Sequence, residues 1–420
     1  MTDLLLQKFF EKERWEQALE LGVGKGIDKG ELRKLTSPEV RLAMYNAIVT
    51  DNYEIAPPHQ AQIPKDNGDF RIVYVNENVD RVFLSIVNNM FFELFSEFVH
   101  KSCKSYQSGI GCGKIAQEVS RQMIQSGTPE VGVKMDLTKY FDTVPLKYID
   151  EIFDRMEDKF GKSKIIDIVR KYYHTDLCFD INGDLIEMYQ SLKQGCAVAS
   201  FLADAVLYKI DDAANRFDVY YVRYSDDLLV LGKEWQKAQL VIKNMLAEMQ
   251  MTLNPKKVEP VFRDKWVKFL GFNIKGNQIT LSKSRVKSFQ KEIEARTIKQ
   301  RKISLTRATN KVNDYLYKGD GQYSWATSVL PIINVEKDIE TLNAFVIDAL
   351  RACVTNKKKI GGLGSVNDRY DYTILRGTGK NVTANRHKTE KEIDGYLTIG
   401  CMRNALLTRR AVYEALVRTM

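Results

Sequence analysis

The sequence predicts an α+β fold, because short β-hairpins and a buried strand alternate with helices over the first 280 residues. The hairpins are marked by runs of β-forming residues that end at Gly, Asn or Asp turns. The helices are marked by apolar residues at helical spacing. After residue 283 the pattern becomes mainly helical and basic, which predicts a separate helical lobe.

The predicted elements follow in order along the chain. Helices fill residues 1–50, with a polar break at "GVGKGIDKGE". The predicted strands are a pair within 53–75 that turns at 66–68, a buried strand at 131–137, and hairpins at 177–191, 218–233 and 268–282. The predicted helices are 79–99, 114–127, 146–174, 197–217 and 234–251.

Composition places the chain among ordinary globular proteins, with 44% hydrophobic and 28% charged residues. No apolar run approaches the length of a membrane span, and the N-terminal stretch lacks the order of a signal peptide. The six cysteines are scattered without a C-x-x-C pair, which argues against a zinc site or a disulfide framework. We therefore expect a cytoplasmic protein without a membrane partner.

The positive charge is concentrated at the C-terminal end. The net charge is +9, and residues 281–420 hold 26 Lys and Arg against 14 Asp and Glu. Such an excess favours a polyanionic partner such as a nucleic acid. A solvated lysine-rich surface is the alternative that charge alone leaves open.

Two adjacent carboxylates stand out in "YVRYSDDLLVLGK" (221–233), where Asp226 and Asp227 interrupt an apolar run of β-formers. Burying two neighbouring carboxylates is costly unless a cation lies beside them. A third carboxylate, Asp136, ends the buried strand in "VGVKMDLTKYFDTVP". If the strand at 131–137 pairs with the hairpin at 218–233, the three carboxylates meet.

Three converging carboxylates are typical ligands for divalent metal ions. We expect two Mg²⁺ ions, with Mn²⁺ as the alternative, held by Asp136, Asp226 and Asp227, with Leu137 included in the ligand set. Two such ions are suited to in-line phosphoryl transfer to a 3′-hydroxyl. For the Asp-Asp pair taken alone, an ordinary β-turn is the competing interpretation.

Other residues are candidates for contacts with a bound ligand. Lys65 and Arg71 flank a turn, so both can reach one anion. Gln194 and Gly195 precede a helix, where glycine lets a ligand approach the backbone closely. Lys257 follows an Asn-Pro pair. The alternative for Lys65 and Arg71 is a solvated hairpin. For Gln194 and Gly195 it is a plain turn before a helix, and for Lys257 an ordinary surface lysine.

These residues resemble the motifs of reverse transcriptases. "YSDD" is similar to the Tyr-x-Asp-Asp motif of that family, and "MDLTKYFDTVP" to the motif that carries its first catalytic Asp. Further similar segments, in the family's order, are "IPKDNGDFRIVYV", "SYQSGIGCGKIAQEV", "QGCAVASFLADAVL", "LNPKKVEP" and "FLGF". The resemblance implies an RNA-directed DNA polymerase that binds template RNA, dNTPs and its DNA product.

The resemblance also implies a right-hand polymerase fold and roles for single residues. It divides the chain into an N-terminal helical extension (1–50), fingers (51–130), a palm with antiparallel sheet and helices (131–282), and a mainly helical thumb and C-terminal region (283–420). Asp136, Asp226 and Asp227 become the catalytic residues. The residues that the resemblance places at the nucleotide are Lys65, Arg71, Phe141, Gln194, Gly195 and Lys257.

Phe141 distinguishes DNA synthesis from RNA synthesis. Five residues after the first catalytic Asp, the family carries an aromatic residue that blocks a ribose 2′-hydroxyl. RNA-dependent RNA polymerases place an acidic residue there, and they usually have Gly before the Asp pair. This chain has Phe141 and Ser225, which indicates dNTP selection; core packing is the other role open to Phe141.

Departures from the pattern narrow the subfamily. Ala199-Ser200 stands where Ser-Pro is usual, and the Val-Thr-Gly signature of retron enzymes is not found. A Cys/His-rich nuclease domain and ribonuclease H carboxylates are also not evident. The chain therefore most resembles the stand-alone "unknown group" bacterial enzymes, within the group II intron and retron-like superfamily. These include defence-associated reverse transcriptases that act against phage with a nearby structured non-coding RNA.

The basic C-terminal region fits a thumb that tracks a phosphate backbone. The candidate nucleic-acid contacts are Arg296, Lys299, Arg301, Lys302, Arg307, Lys357, Lys358 and Lys359. Tyr370, Tyr372 and Tyr396 are candidates for base stacking.

Three other functions stay open at the sequence level. A diversity-generating retroelement enzyme would share the polymerase core. A protein-primed or untemplated DNA polymerase is a second alternative. An RNA-binding scaffold with an inactive site is the third, although the intact carboxylates argue against it.

Overall fold

The structure, a computed structural model, describes residues 2–355 apart from 25, 66–68, 108, 126–128, 189, 301–302 and 319–324. Helices and antiparallel hairpins alternate along this part of the chain, so the predicted α+β class is confirmed. Among the described helices, none combines the length and the apolar character needed to cross a membrane.

The helices begin and end close to the predicted positions. Those of the N-terminal region are α1 (Leu4–Phe9), α2 (Lys12–Leu21), α3 (Lys29–Leu35) and α4 (Pro38–Val49). The middle of the chain contains α5 (Asn78–Leu94), α6 (Cys112–Gln125), α7 (Tyr140–Thr143), α8 (Leu146–Phe160), α9 (Lys164–Tyr173), α10 (Ala199–Val206), α11 (Tyr208–Ala214) and α12 (Trp235–Glu248). The last described helices are α13 (Lys283–Arg296), α14 (Leu305–Asn313), α15 (Trp325–Ser328) and α16 (Glu336–Thr355).

The strands form three sheets within the described residues. The first has the order β2-β1-β4-β5 and is built from β1 (His59–Pro64), β2 (Phe70–Val75), β4 (Leu177–Phe179) and β5 (Leu185–Glu187). The second has the order β6-β7-β3-β8 and is built from β3 (Glu130–Asp136), β6 (Val219–Tyr224), β7 (Asp227–Gly232) and β8 (Glu259–Phe262). The third is β11-β10-β9, with β9 (Val267–Phe269), β10 (Phe272–Lys275) and β11 (Gln278–Leu281).

Four predicted elements differ from the structure. The helix predicted at 146–174 is two helices, α8 and α9, separated by residues 161–163. Residues 53–58 are not a strand, and Pro57 and Pro58 lack the N–H groups that a ladder needs. The helix predicted at 197–217 is two helices, because Leu207 has non-helical dihedral angles (φ −89°, ψ 7°). The hairpin predicted at 268–282 is a three-stranded meander that turns at Leu270-Gly271, where both residues have positive φ angles.

Contacts divide the chain into two compact units. The first comprises residues 1–108 and 131–261, and its apolar core surrounds α5. Phe83 and Phe91 of this helix are fully buried, and Phe9 from α1 packs on Phe83 at a ring distance of 5.0 Å. The core packs against one face of the β6-β7-β3 sheet. Val133 of β3 and Val230 of β7 project from that face into the core.

The second unit comprises residues 109–130 and the described residues from 262 onward. Helix α6 packs on the meander, where Ser120 Oγ donates a hydrogen bond to the carbonyl of Gly276 at 2.6 Å. Helix α13 begins at its N-cap Ser282, and its Phe289 contacts Trp325 at a ring distance of 4.3 Å. The division into extension, fingers, palm and thumb stays a prediction.

Candidate active site

The three predicted carboxylates come together at one end of the second sheet. Asp136 is the last residue of β3 and lies directly opposite Asp227, the first residue of β7, in an antiparallel pair. Directly opposed residues project from the same face of a sheet. Asp226 lies in the turn between β6 and β7, directly before Asp227. The expected pairing of strand and hairpin is therefore present.

The turn itself has a constrained backbone. Ser225 adopts a left-handed φ of 55° and is only 7% exposed. A non-glycine residue in this region carries a conformational cost of about 1 kcal/mol or more, so its surroundings must hold it there. The Asp226 carbonyl accepts a hydrogen bond from the N–H of Leu137 at 3.1 Å, which ties the turn to the end of β3.

A cation lies against the carboxylates, as their burial requires. Lys257 Nζ donates to Oδ2 of Asp136 at 2.7 Å. The local sequence explains this position: the Asn254 N–H bonds the Asp136 carbonyl at 2.8 Å, and its side chain caps one 3₁₀ turn at Pro255–Lys257. Pro255 starts that turn with a preset φ, and Lys257 ends it beside Asp136.

The electrostatics reflect a cluster of like charges. Burial and the charge of Asp136 raise the pKa of Asp226. Burial and the charge of Asp226 raise the pKa of Asp227 to about 6. The pKa of Lys257 is raised: burial opposes its charge, but the hydrogen bond and the negative charge of Asp136 outweigh that effect. The cluster thus favours any added cation.

The carboxylate oxygens suit Mg²⁺ chemically, because hard divalent ions prefer oxygen ligands. The Leu137 side chain is a hydrocarbon that packs into the core, and only its backbone carbonyl oxygen can act as a ligand. Over the described parts of the chain, no three His, Cys, Asp or Glu side chains are already arranged around an ion position. Lys257 bonds Oδ2 of Asp136, so its ammonium would share the Asp136 carboxylate with any ion bound there.

The two predicted fingers cations lie on the first sheet. Lys65 and Arg71 are exposed on either side of residues 66–68, and the Lys65 N–H bonds the Asp69 carbonyl at 2.7 Å. The charge of Arg71 reaches the carboxylates, since it partly offsets the rise in the pKa of Asp226. Lys65 shows no comparable link in the described contacts.

Gln194, Gly195 and Phe141 line one cavity of about 450 Å³. Gly195 has a φ of +112°, and a Cβ there would lie 2.7 Å from the Tyr74 carbonyl oxygen. The Gln194 carbonyl accepts the Tyr74 N–H at 2.7 Å, which fixes this loop on β2. Phe141 also packs against the core, so the two roles considered for it are compatible.

Ala199 and Ser200, which stand where Ser-Pro is usual, also line this cavity. Ser200 Oγ donates to Oδ1 of Asn88 at 3.0 Å, and both residues line the wall. A proline at position 200 would have no side-chain donor for Asn88. The change therefore gives the wall a polar pair, which orients the amide of Asn88.

Lys193 is a supporting residue that the sequence argument missed. It is 1% exposed, has a left-handed φ of 51°, and burial lowers its pKa to about 8. Its ammonium donates to the carbonyls of Tyr172, Tyr173 and Thr175 at the C-terminal end of α9. A cation is favoured at a helix C-terminus. Lys193 thereby anchors the loop that carries Gln194, but nothing in its local sequence signals a buried lysine.

The predicted thumb contacts are partly described. Arg296 pairs with Glu292 and stacks over the Tyr315 ring at 4.3 Å, whereas Lys299 pairs with Glu294 at 2.9 Å. Arg307 is exposed near the start of α14. The remaining candidates lie outside the described residues: Arg301, Lys302, Lys357, Lys358, Lys359, Tyr370, Tyr372 and Tyr396.

Comparison with known proteins supports a family assignment. The profile of the family "Reverse transcriptase (RNA-dependent DNA polymerase)" matches residues 63–274, just over half of the chain. No curated protein matches the chain.

Two telomerase structures are similar to the chain at low identity. Apo telomerase from Candida tropicalis, truncated from the C-terminal domain, is 14% identical with a TM-score of 0.42; the match covers 62% of this chain and 63% of that one. Telomerase from Candida albicans, in complex with a TWJ fragment of telomeric RNA, is 13% identical with a TM-score of 0.43, covering 87% and 62%. The chain thus spans less than two thirds of either telomerase.

Proposed function

The chain belongs to the reverse transcriptase (RNA-dependent DNA polymerase) family, and from that premise we propose that it copies an RNA template into DNA. The observation that carries the proposal is the register of β3 and β7, in which Asp136 opposes Asp227 beside the Asp226 turn. Retained carboxylates in this register support a working polymerase rather than an inactive scaffold.

Asp136, Asp226 and Asp227 would hold the metal ions, with the Leu137 carbonyl as a further ligand. Two Mg²⁺ ions, when bound, supply the activation of the primer 3′-hydroxyl and the neutralisation of the leaving pyrophosphate. The chain's own residues position the reactants. Arg71 and Lys65 attract the triphosphate, and the Lys257 ammonium transfers from Asp136 to the negatively charged phosphates.

Phe141 and the Gln194–Gly195 loop would select the nucleotide. The Phe141 ring lines the cavity and is braced by Tyr140 at a ring distance of 5.6 Å. A braced aromatic ring excludes a ribose 2′-hydroxyl by steric contact, which favours dNTPs. Gly195 lets the loop pack closely on β2, because any larger residue would push into the Tyr74 carbonyl.

We further propose the finer assignment, a stand-alone bacterial enzyme that acts in defence against phage with a structured non-coding RNA as its template. Its support is the motif pattern and the departures from other subfamilies. The basic C-terminal region, with a net excess of Lys and Arg after residue 281, supports an RNA partner.

The experiment is to purify the chain from its native host with its gene neighbourhood intact and to sequence the co-purifying RNA and DNA. The matched control replaces Asp226 and Asp227 with Ala. One dominant short RNA, with complementary DNA that disappears in the control, is the expected result. A diffuse RNA population without complementary DNA would contradict the dedicated-template proposal.

A further inference from the structure

The catalytic turn rests on a buried polar cluster whose central residue, Arg223, lies outside the family motifs. Arg223, two residues before Ser225 on β6, is fully buried. Its Nε and Nη2 donate to the Asp211 carboxylate at 2.8 and 2.7 Å, and Nη2 also donates to the Asp204 carbonyl at 2.8 Å. Tyr221 Oη donates to the same Asp211 carboxylate at 2.7 Å.

The cluster forms hydrogen bonds with both backbone polar groups of Ser225, its carbonyl and its N–H. The Ser225 carbonyl accepts from Arg223 Nη1 at 3.3 Å, and the Ser225 N–H donates to Ser105 Oγ at 2.9 Å. Ser105 is fully buried and donates in turn to Oδ1 of Asp204 at 2.5 Å. The backbone of Ser225 is thus held both through its N–H and through its carbonyl.

The segment that supplies Ser105 is itself fixed to β6. Cys103 and Arg223 form a parallel bridge, in which the Arg223 N–H bonds the Ser102 carbonyl and the Lys104 N–H bonds the Arg223 carbonyl. These hydrogen bonds therefore attach residues 102–105 to the strand that leads into the turn. Ser105 is placed directly under the turn by backbone hydrogen bonds.

The burial of these charges indicates that the cluster fixes one conformation rather than adding stability. Burying an arginine and two carboxylates costs several kcal/mol, and apolar side chains in their place are often at least as stabilising. Such a cluster is therefore poorly explained by stability alone. Its contacts converge on one backbone residue, Ser225, whose conformation is strained and which sets the direction of Asp226.

We propose that Arg223, Ser105 and Asp204 are positioning residues, which hold the Ser225 turn so that Asp226 and Asp227 converge with Asp136 on the metal ions. The inference rests on the proposed polymerase function. These residues contact the turn and not the metal ions or the substrate. Their replacement should therefore change how the enzyme depends on Mg²⁺.

The test compares Ser105→Ala with Ser102→Ala in the full chain. Both serines lie in the same buried segment, but Ser102 Oγ donates to Oδ1 of Asn215 at 3.0 Å and has no described hydrogen bond to the turn. We measure the half-saturating Mg²⁺ concentration for dNTP incorporation, and separately the rise in melting temperature that Mg²⁺ produces. The second readout does not depend on turnover.

Ser105→Ala is expected to raise the half-saturating Mg²⁺ concentration about tenfold, as loss of an outer support of a metal site does. Its Mg²⁺-induced rise in melting temperature should shrink, whereas Ser102→Ala should match the native chain in both. Arg223→Lys, which keeps the charge but loses the planar fork, should resemble Ser105→Ala.

An unchanged Mg²⁺ response in Ser105→Ala and in a folded Arg223→Lys protein would overturn the proposal. Equal effects of the two serine variants would also overturn it, since a merely structural role predicts them. If the native chain shows no dNTP incorporation, the proposed function fails. The melting-temperature response to Mg²⁺ then still decides whether these residues position the carboxylates.

Discussion

Lys257 Nζ lies 2.7 Å from Oδ2 of Asp136, so the carboxylate cluster already contains one cation. The ammonium and an added metal ion would compete for the negative charge of Asp136. Lys257→Gln should therefore lower the half-saturating Mg²⁺ concentration severalfold, an effect limited by the 52% exposure of the lysine. The rate at saturating Mg²⁺ should fall, because the lysine no longer reaches the phosphates.

Lys256→Gln is the matched control for this prediction. Lys256 is the exposed neighbour on the same 3₁₀ turn, and only its backbone N–H has a described bond. Its replacement removes the same charge from the chain without touching Asp136. Equal changes in Mg²⁺ dependence for both variants would show that general charge, rather than the Asp136 contact, is responsible.

The pKa of Asp227 predicts how pH affects stability in the absence of metal. Burial and Asp226 raise this pKa from 3.8 to about 6, so the folded state holds more protons than the unfolded state between these values. The stability contributed by this group therefore falls as pH rises from about 4 to above 6. Asp227→Asn should make the metal-free protein more stable at pH 8, by about 1–3 kcal/mol.

Urea unfolding at pH 5 and pH 8, without divalent ions, measures this effect. The gain from Asp227→Asn should shrink at the lower pH, where the native Asp227 is protonated. Addition of Mg²⁺ at pH 8 should stabilise the native chain more than the variant. A variant that is less stable than the native chain at pH 8 would refute the prediction.

Gly195 and Gly183 allow a test of the cavity wall. Gly195→Ala places a Cβ 2.7 Å from the Tyr74 carbonyl oxygen at a φ of +112°. We expect a loss of about 1–3 kcal/mol in the free energy of unfolding, together with a higher KM for dNTPs. Gly183 has a φ of +92° with no atom within 4 Å of its Cβ position, so Gly183→Ala adds only backbone strain.

Denaturant titrations and steady-state kinetics separate these two variants. Gly183→Ala should leave the KM unchanged, since its turn joins β4 to β5 and does not line the cavity. Similar KM values for the native chain and for both variants would remove Gly195 from the nucleotide site.

Phe141 should control the choice between dNTPs and ribonucleotides. Phe141→Ala opens the cavity beside the Gln194 loop, so incorporation of ribonucleotides relative to dNTPs should rise about 10- to 200-fold. Phe217→Ala is the control, because Phe217 packs on the same core without lining the cavity. An unchanged nucleotide preference in Phe141→Ala would leave that residue with a packing role only.

The parts of the site that the sequence predicted are those with local signals. Asp136 ends a buried apolar strand, and Asp226 and Asp227 lie at the turn between two apolar runs. Apolar runs and turn chemistry indicate where these strands end, whereas their pairing was a condition of the prediction. The Asn-Pro pair before Lys257 likewise marks a short capped turn, which delivers the lysine to Asp136.

The supporting residues could not be predicted because their role depends on distant partners. Arg223 is one cation among many in sequence, and only the fold brings Asp211, Asp204 and Ser105 around it. Leu270 adopts a positive φ at the first position of its turn, where Asn or Gly is usual, and only Gly271 after it signals the turn. These features are tertiary, and periodicity and local propensity do not report them.

The most direct test of the central claim is primer extension on an RNA template with dNTPs and Mg²⁺, comparing the native chain with Asp226→Asn. Asp212→Asn is the control, because Asp212 pairs only with Arg216 among the described ion pairs. We predict extension by the native chain and the control, and a loss of at least about 10³-fold in Asp226→Asn with primer–template binding retained. Extension by Asp226→Asn at the native rate would contradict the assignment of this site.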